Sequence, residues 1–364
     1  MPAAAGPRDS AFMLRALELS RNGWGRVSPN PLVGAVIVKD GVVIGEGWHS
    51  EYGRAHAEVE ALRAAGADAR GASLYVTLEP CSHHGKTPPC SEAVIASGIR
   101  RLVYAARDPN PRARGGAERL REHGIEVQGG VEEDAAMDLN GPFFHALTNQ
   151  GAPRPWIELK LALSLDSRVA DQEGRSAWIT GRDARAEVHR IRAGHDAIAV
   201  GIGTVLADDP LLTVRGSVEP RLPPTRVVFD RKLRIPPSSR LLSSLTEAPL
   251  LIVHGPEAPP AVAESLKLAG IELIPATTLH SALASLTERG IGSLFCEGGA
   301  ELASTLLREN VVDRLTLFYA PVLLGPEGRS PFSAIPSSPM DQVLRWRTLH
   351  RATFGADTMI TFAR

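Results

Sequence analysis

Residues 148–155 place Gly151, Pro153 and Pro155 among polar neighbours, and the chain on either side alternates helical and strand-like patterns. Glycine and proline at that density break both periodicities, so the stretch reads as a linker. The 364 residues exceed what one hydrophobic core usually serves. Two layered α/β domains are expected, over residues 1–150 and 151–364.

In the first segment, apolar spacing predicts helices at 9–21, 57–65, 91–97, 118–123 and about 132–147. β-Branched runs predict strands at 32–38, 42–44, 73–78, 101–105 and 125–128, the first two joined as a hairpin through Asp40-Gly41. In the second segment, strands are expected at 156–163, 197–200, 226–229, 250–253 and 293–296. Helices are expected at 182–193, capped by Thr180, and at 261–268, 281–288 and 301–308. The final runs, 314–319, 343–350 and 358–363, lack intervening helices, which predicts antiparallel pairing.

Composition narrows the function. A net charge of −1 without a basic cluster argues against nucleic-acid binding as the main role. No run reaches the roughly 18 apolar residues of a membrane span, and Arg8, Asp9 and Arg15 interrupt any signal-peptide core. A soluble cytoplasmic protein acting on a small molecule is expected, with the choice between monomer and homo-oligomer left open. Three cysteines without a secretory context favour metal or catalytic roles over a disulfide framework.

His56-Ala57-Glu58 opens a helical segment, and Pro80-Cys81 follows a strand and is answered by Cys90. Catalytic zinc commonly takes three protein ligands and keeps a fourth position for water, whose pKa it lowers to about 7. His56, Cys81 and Cys90 supply three. Glu58 then suits the proton shuttle, which must sit beside the metal without ligating it. H-x-E followed by P-C is the zinc-deaminase pattern, although eight residues, 82–89, separate the cysteines where the common form has two. His84 could close the sphere as a fourth ligand and make the site structural. Cys296 lies in an apolar run and reads as a core residue.

Asn30-Pro31-Leu32-Val33-Gly34, His56-Ala57-Glu58-Val59 and the run Thr77-Leu78-Glu79-Pro80-Cys81-Ser82-His83-His84-Gly85-Lys86-Thr87-Pro88-Pro89-Cys90 resemble the bifunctional riboflavin-biosynthesis deaminase/reductase family. The long loop between the cysteines is a feature of that family. The resemblance implies a cytidine-deaminase-like domain in which Asn30, His49, His83 and Lys86 hold the pyrimidine and phosphate of the substrate.

Residues 160–166, 201–215 and 297–299 resemble the same family's reductase half. This implies a dihydrofolate-reductase-like α/β domain that uses NADPH to reduce the ribosyl group of a deaminated pyrimidine ribosyl phosphate to ribityl. The cofactor residues so implied are Ala162, Trp178, Thr204, Asp208, Arg231 and the turn Gly299, Ala300, Glu301, Leu302, Ala303, Ser304 and Thr305. Ser176, Arg192, Leu212, Arg215 and Glu297 are implied to meet the substrate, the arginines through forked donors suited to phosphate. One departure is Ser167, where the family usually has glycine. The zinc motif alone cannot name the base, so a tRNA or DNA base deaminase is the competing activity; the missing basic excess and the reductase motifs oppose it.

Overall fold

The computed structural model describes residues 6–83, 88–176, 179–333, 335–336, 338–343 and 345–364. The chain separates into two compact units between Asn149 and Gln150.

The first unit runs α1 (Pro7–Ser20), β1 (Gly34–Lys39), β2 (Val42–Trp48), α2 (Ala57–Ala65), β3 (Ser73–Leu78), α3 (Cys90–Ser97), β4 (Arg101–Ala106), α4 (Gly116–Glu122), β5 (Glu126–Gln128), α5 (Glu133–Leu139) and α6 (Gly141–Thr148). Its sheet has the order β2-β1-β3-β4-β5. β1 is antiparallel to β2 and β3, and β3, β4 and β5 are parallel. Met13, Ile37, Leu74, Leu102 and Leu120 are fully buried between sheet and helices. Helix α2 lies against β2, where glycine stands at 45 and 47. A Cβ at Gly47 would overlap the backbone of Ala57 and Ala61, so only glycine lets α2 come this close.

The expected helix over 132–147 is two helices. Asn140 breaks it, with φ −106° and ψ 28°, and the following Gly141-Pro142 cannot continue the ladder. The buried Asn140 side chain turns instead to Leu32, accepting from its N–H at 2.7 Å and donating to its carbonyl at 2.9 Å. That pair anchors the segment following Asn30.

The second unit runs β6 (Trp156–Leu163), α7 (Arg182–Ala193), β7 (Ala197–Gly201), α8 (Ile202–Asp208), β8 (Thr225–Phe229), α9 (Arg240–Ser243), β9 (Leu250–His254), α10 (Pro260–Leu268), β10 (Glu272–Pro275), α11 (Leu279–Glu288), β11 (Ser293–Cys296), α12 (Ala300–Arg308), β12 (Arg314–Tyr319), β13 (Arg347–Phe354) and β14 (Asp357–Ala363). Nine strands form one sheet in the order β10-β9-β8-β7-β11-β6-β12-β14-β13. The strands from β10 to β12 are parallel, and β14 and β13 close the edge antiparallel, as the missing helices predict.

Besides the short α9, four details differ from expectation. α8 forms where Gly201 and Gly203 suggest only a turn, and β10 is a strand that Glu272 and Pro275 disguise. Gly181, not Thr180, caps α7; its N–H donates to Asp357 Oδ2 at 2.6 Å. β13 starts four residues later than 343 because this edge strand is largely exposed and carries little apolar signal. Among the described residues no helix is long and apolar enough to cross a membrane.

Candidate metal centre and reductase cavity

His56 is the residue before α2, Cys81 follows β3 after Glu79-Pro80, and Cys90 is the first residue of α3. Three element ends therefore deliver three ligand types to one point. His56 Nδ1 lies 3.1 Å from Cys90 Sγ and 3.7 Å from Cys81 Sγ, and one ligand atom from each of the three residues lies within 4.8 Å of the others. Both thiols are free and buried. The Cys90 thiol hydrogen-bonds to Cys81 and holds it below the ordinary thiol range, while Cys90 is pushed above that range. A buried thiolate beside a histidine is the donor set that soft divalent zinc prefers. The residues present fit the metal.

Glu58 occupies the first turn of α2, is buried, and has its carboxyl pushed up by that burial, with His56 opposing. It lines a cavity of about 250 Å³ together with His56, Cys81, Asn30, His49 and His83. His49 Nδ1 sits 3.0 Å from the Ala55 carbonyl and its Nε2 sits 3.1 Å from Asn30 Nδ2. Donation to Ala55 leaves Nε2 as acceptor from the amide, and burial lowers the His49 pKa, which favours that neutral tautomer. Lys86 and His84 lie outside the described residues. Polar cavity residues that the sequence does not single out include Asp108, whose carboxyl burial pushes up to about 6, and Asn110, whose N–H donates to Asp108 Oδ1 at 2.8 Å. They sit in a polar loop that looks like any other turn.

The second unit contains a cavity of about 1210 Å³ at the carboxyl ends of its parallel strands. Ala162, Thr204, Asp208, Arg231, Gly299, Ala300, Glu301, Leu302 and Thr305 line it, as do Ser176, Arg192, Leu212, Arg215 and Glu297. Ala303 and Ser304 do not; Ala303 is fully buried in the core and Ser304 Oγ donates to the Pro331 carbonyl at 2.6 Å. Trp178 lies outside the described residues. Arg192 Nε and Nη2 bond the two oxygens of Glu297, its Nη1 donates to Thr213 O at 2.9 Å, and Lys160 Nζ stands 4.0 Å from Glu297. Burial lowers the Lys160 pKa, with Glu297 opposing. Lys160 and His189 are cavity residues that the sequence reading did not single out. His189 Nδ1 accepts from Arg215 N at 3.1 Å, and burial holds it down at about 4.

Ser167 has φ 58°, in the left-handed region that costs an L-residue about 1–2 kcal/mol. The turn is kept nonetheless: Ser167 N donates to Ser164 O at 3.0 Å, and Asp166 accepts from the N–H groups of Leu324 and Gly325.

Residues 7–106 match the cytidine and deoxycytidylate deaminase zinc-binding region, and residues 155–360 match the RibD C-terminal domain. The chain is 41% identical over 359 residues to the riboflavin biosynthesis protein RibD of Aquifex aeolicus (strain VF5), covering 98% of each. The chain belongs to the RibD family. The RibD of Escherichia coli (strain K12) is 42% identical over 338 residues, covering 88% of this chain and 90% of its own. Among solved structures, RibD from Acinetobacter baumannii aligns with a TM-score of 0.82 at 38% identity, covering 98% of both chains. The diaminohydroxyphosphoribosylaminopyrimidine deaminase/5-amino-6-(5-phosphoribosylamino)uracil reductase of Thermotoga maritima aligns with a TM-score of 0.82 at 37% identity and the same coverage. This RibD chain thus joins a zinc-binding deaminase domain to a reductase domain.

Proposed function

We propose that the chain carries out two consecutive steps of riboflavin biosynthesis on a diaminopyrimidinone ribosyl 5′-phosphate. The first is hydrolytic deamination in the unit before Gln150, and the second is NADPH-dependent reduction of the ribosyl group to ribityl in the unit after it. The convergence of His56, Cys81 and Cys90 beside buried Glu58 carries the reading.

His56, Cys81 and Cys90 would hold zinc. When bound, zinc supplies the Lewis acidity that lets water ionise near neutral pH. Glu58 takes the proton from water and delivers it to the departing amine, a role helped by the burial that raises its carboxyl pKa. Asn30 and His49 orient the pyrimidine, and His83 and Lys86 hold the far end of the substrate.

In the second cavity Arg192 and Arg215 suit the sugar phosphate, and Glu297 and Ser176 hold the ribose in place. The turn before α12, with Thr204 and Asp208 opposite, would hold NADPH, which supplies the reducing equivalents. Arg231, Lys232 and Arg234 line the same cavity with Glu257, which pairs with Arg231, and the positive charge left over suits the extra phosphate of NADPH. Such a small-molecule enzyme belongs in the cytoplasm and needs neither nucleic acid nor membrane.

The test is a mass-resolved assay of the diaminopyrimidinone substrate with the zinc-loaded protein. Loss of the amine without NADPH, and a further gain of two hydrogens with it, is the expected result. An unchanged substrate mass under both conditions contradicts the reading.

A further inference from the structure

We infer that Glu79 is a positioning residue for the deaminase substrate, acting by fixing the loop that presents Asp108 and Asn110 to the cavity. The inference rests on the deaminase reading above. Glu79 follows β3 and lies two residues before Cys81, yet it is not among the three converging ligands. Its side chain is completely buried. A buried carboxylate is costly unless its oxygens are satisfied. Here they are satisfied by backbone. Glu79 Oε1 accepts from Gly115 N at 3.0 Å and Ala117 N at 3.2 Å, and Oε2 accepts from Asp108 N at 3.3 Å. Arg107 Nε stands 3.7 Å from Oε2.

These contacts tie down both ends of one loop. Asp108 begins it, Gly115 and Ala117 finish it at the start of α4, and Asp108, Asn110 and Ala113 line the small cavity between. Ala113 also packs against Cys81 and Cys90. A second tie comes from Ser82, whose N–H donates to Ala113 O at 2.9 Å and whose Oγ donates to Arg114 O at 2.8 Å. At Gly116 a Cβ would overlap the Pro80 carbonyl, so the loop is seated directly on the segment that delivers Cys81. A carboxylate that spends its acceptors on three loop amides sets where the cavity wall stands. The same loop contributes no ligand to the metal site, so loosening it should weaken substrate binding more than it alters metal content.

The experiment compares full-length wild type with Glu79→Gln and Ser82→Ala. Zinc stoichiometry, deaminase KM and kcat, reductase activity on pre-deaminated substrate, and amide hydrogen exchange of residues 108–117 are measured for each. In wild type the amides of Asp108, Gly115 and Ala117 are expected to be protected. Glu79→Gln should exchange faster across this loop and raise deaminase KM about tenfold, with kcat changed less, zinc retained and reductase activity unchanged. Ser82→Ala should show the same pattern more weakly, and it decides the matter if Glu79→Gln fails to fold. Faster loop exchange with an unchanged KM, or equal losses of zinc and kcat, overturns the inference. A wild type that leaves the diaminopyrimidinone untouched refutes the deaminase reading itself, a separate outcome.

Discussion

The Arg192 guanidinium grips both carboxylate oxygens of Glu297 in the lining of the larger cavity. Both side chains are largely buried, and Lys160 shares the carboxylate. Removing the acid leaves two cations facing each other without a counter-charge, which costs about 3 kcal/mol when a buried pair is broken. Glu297→Ala should therefore lower the stability of the second unit by that order and cut reductase kcat/KM by at least roughly a hundredfold. Deamination should be unaffected. Denaturant unfolding and separate assays of the two steps check this, and wild-type reductase activity in the variant contradicts it.

Helix α2 begins directly after His56 and carries Glu58 in its first turn, so its seat on β2 matters to the metal site. A Cβ at Gly47 would overlap α2 backbone, which cannot move aside as a flexible side chain could. Overpacking of this kind costs about 1–3 kcal/mol. Gly47→Ala should lower Tm and weaken zinc retention against a chelator, with reductase activity kept. Equal zinc retention in wild type and variant would show that the α2 seat does not set the site.

Ser167 holds a left-handed φ that glycine adopts freely. Ser167→Gly relieves that strain but gains unfolded-state entropy, a partial offset of about 0.4–1 kcal/mol. The net expectation is a stabilisation of roughly 0.5–1 kcal/mol, balancing the left-handed cost against that offset. Reductase activity should hold, because the turn keeps its bonds. A destabilised variant in urea unfolding would mean that the serine side chain is needed there.

Glu158 on β6 is buried beside His195 at 3.5 Å, Arg314 at 3.7 Å and Thr316 at 2.6 Å. Burial pushes its carboxyl up, but these neighbours outweigh burial and bring it down to about 2 from 4.5. A depressed carboxylate pKa contributes stability that is fully present above 4.5 and is lost as pH falls toward 2. A shift of that size is worth roughly 3 kcal/mol. Urea unfolding should thus weaken between pH 5 and 3 (roughly the upper part of that window) more steeply in wild type than in Glu158→Gln. Identical slopes would remove Glu158 from the account of acid sensitivity.

The metal site was the most legible part of the sequence, because its ligands are chemically distinctive and each falls at the end of a strongly patterned element. Long buried elements such as β6 and α7 were equally plain, since apolar runs and helical spacing mark them. Short or exposed elements were not: α8 begins between two glycines, β10 is four residues long, and β13 exposes most of its side chains. The hidden site residues share a reason as well. Asp108 and Asn110 line the small cavity from a loop whose sequence is ordinary turn chemistry, and Glu79 binds backbone amides 29, 36 and 38 residues ahead, at Asp108, Gly115 and Ala117. Only folded geometry links a carboxylate to amides that distant.

In the proposed deamination Glu58 moves protons beside a zinc ion held by His56, Cys81 and Cys90. Metal analysis and deaminase kcat of full-length Glu58→Gln test it most directly. The variant should keep one zinc per chain, deaminate at least about a hundredfold more slowly, and reduce pre-deaminated substrate undiminished. Deamination at the wild-type rate in the zinc-loaded variant would contradict it.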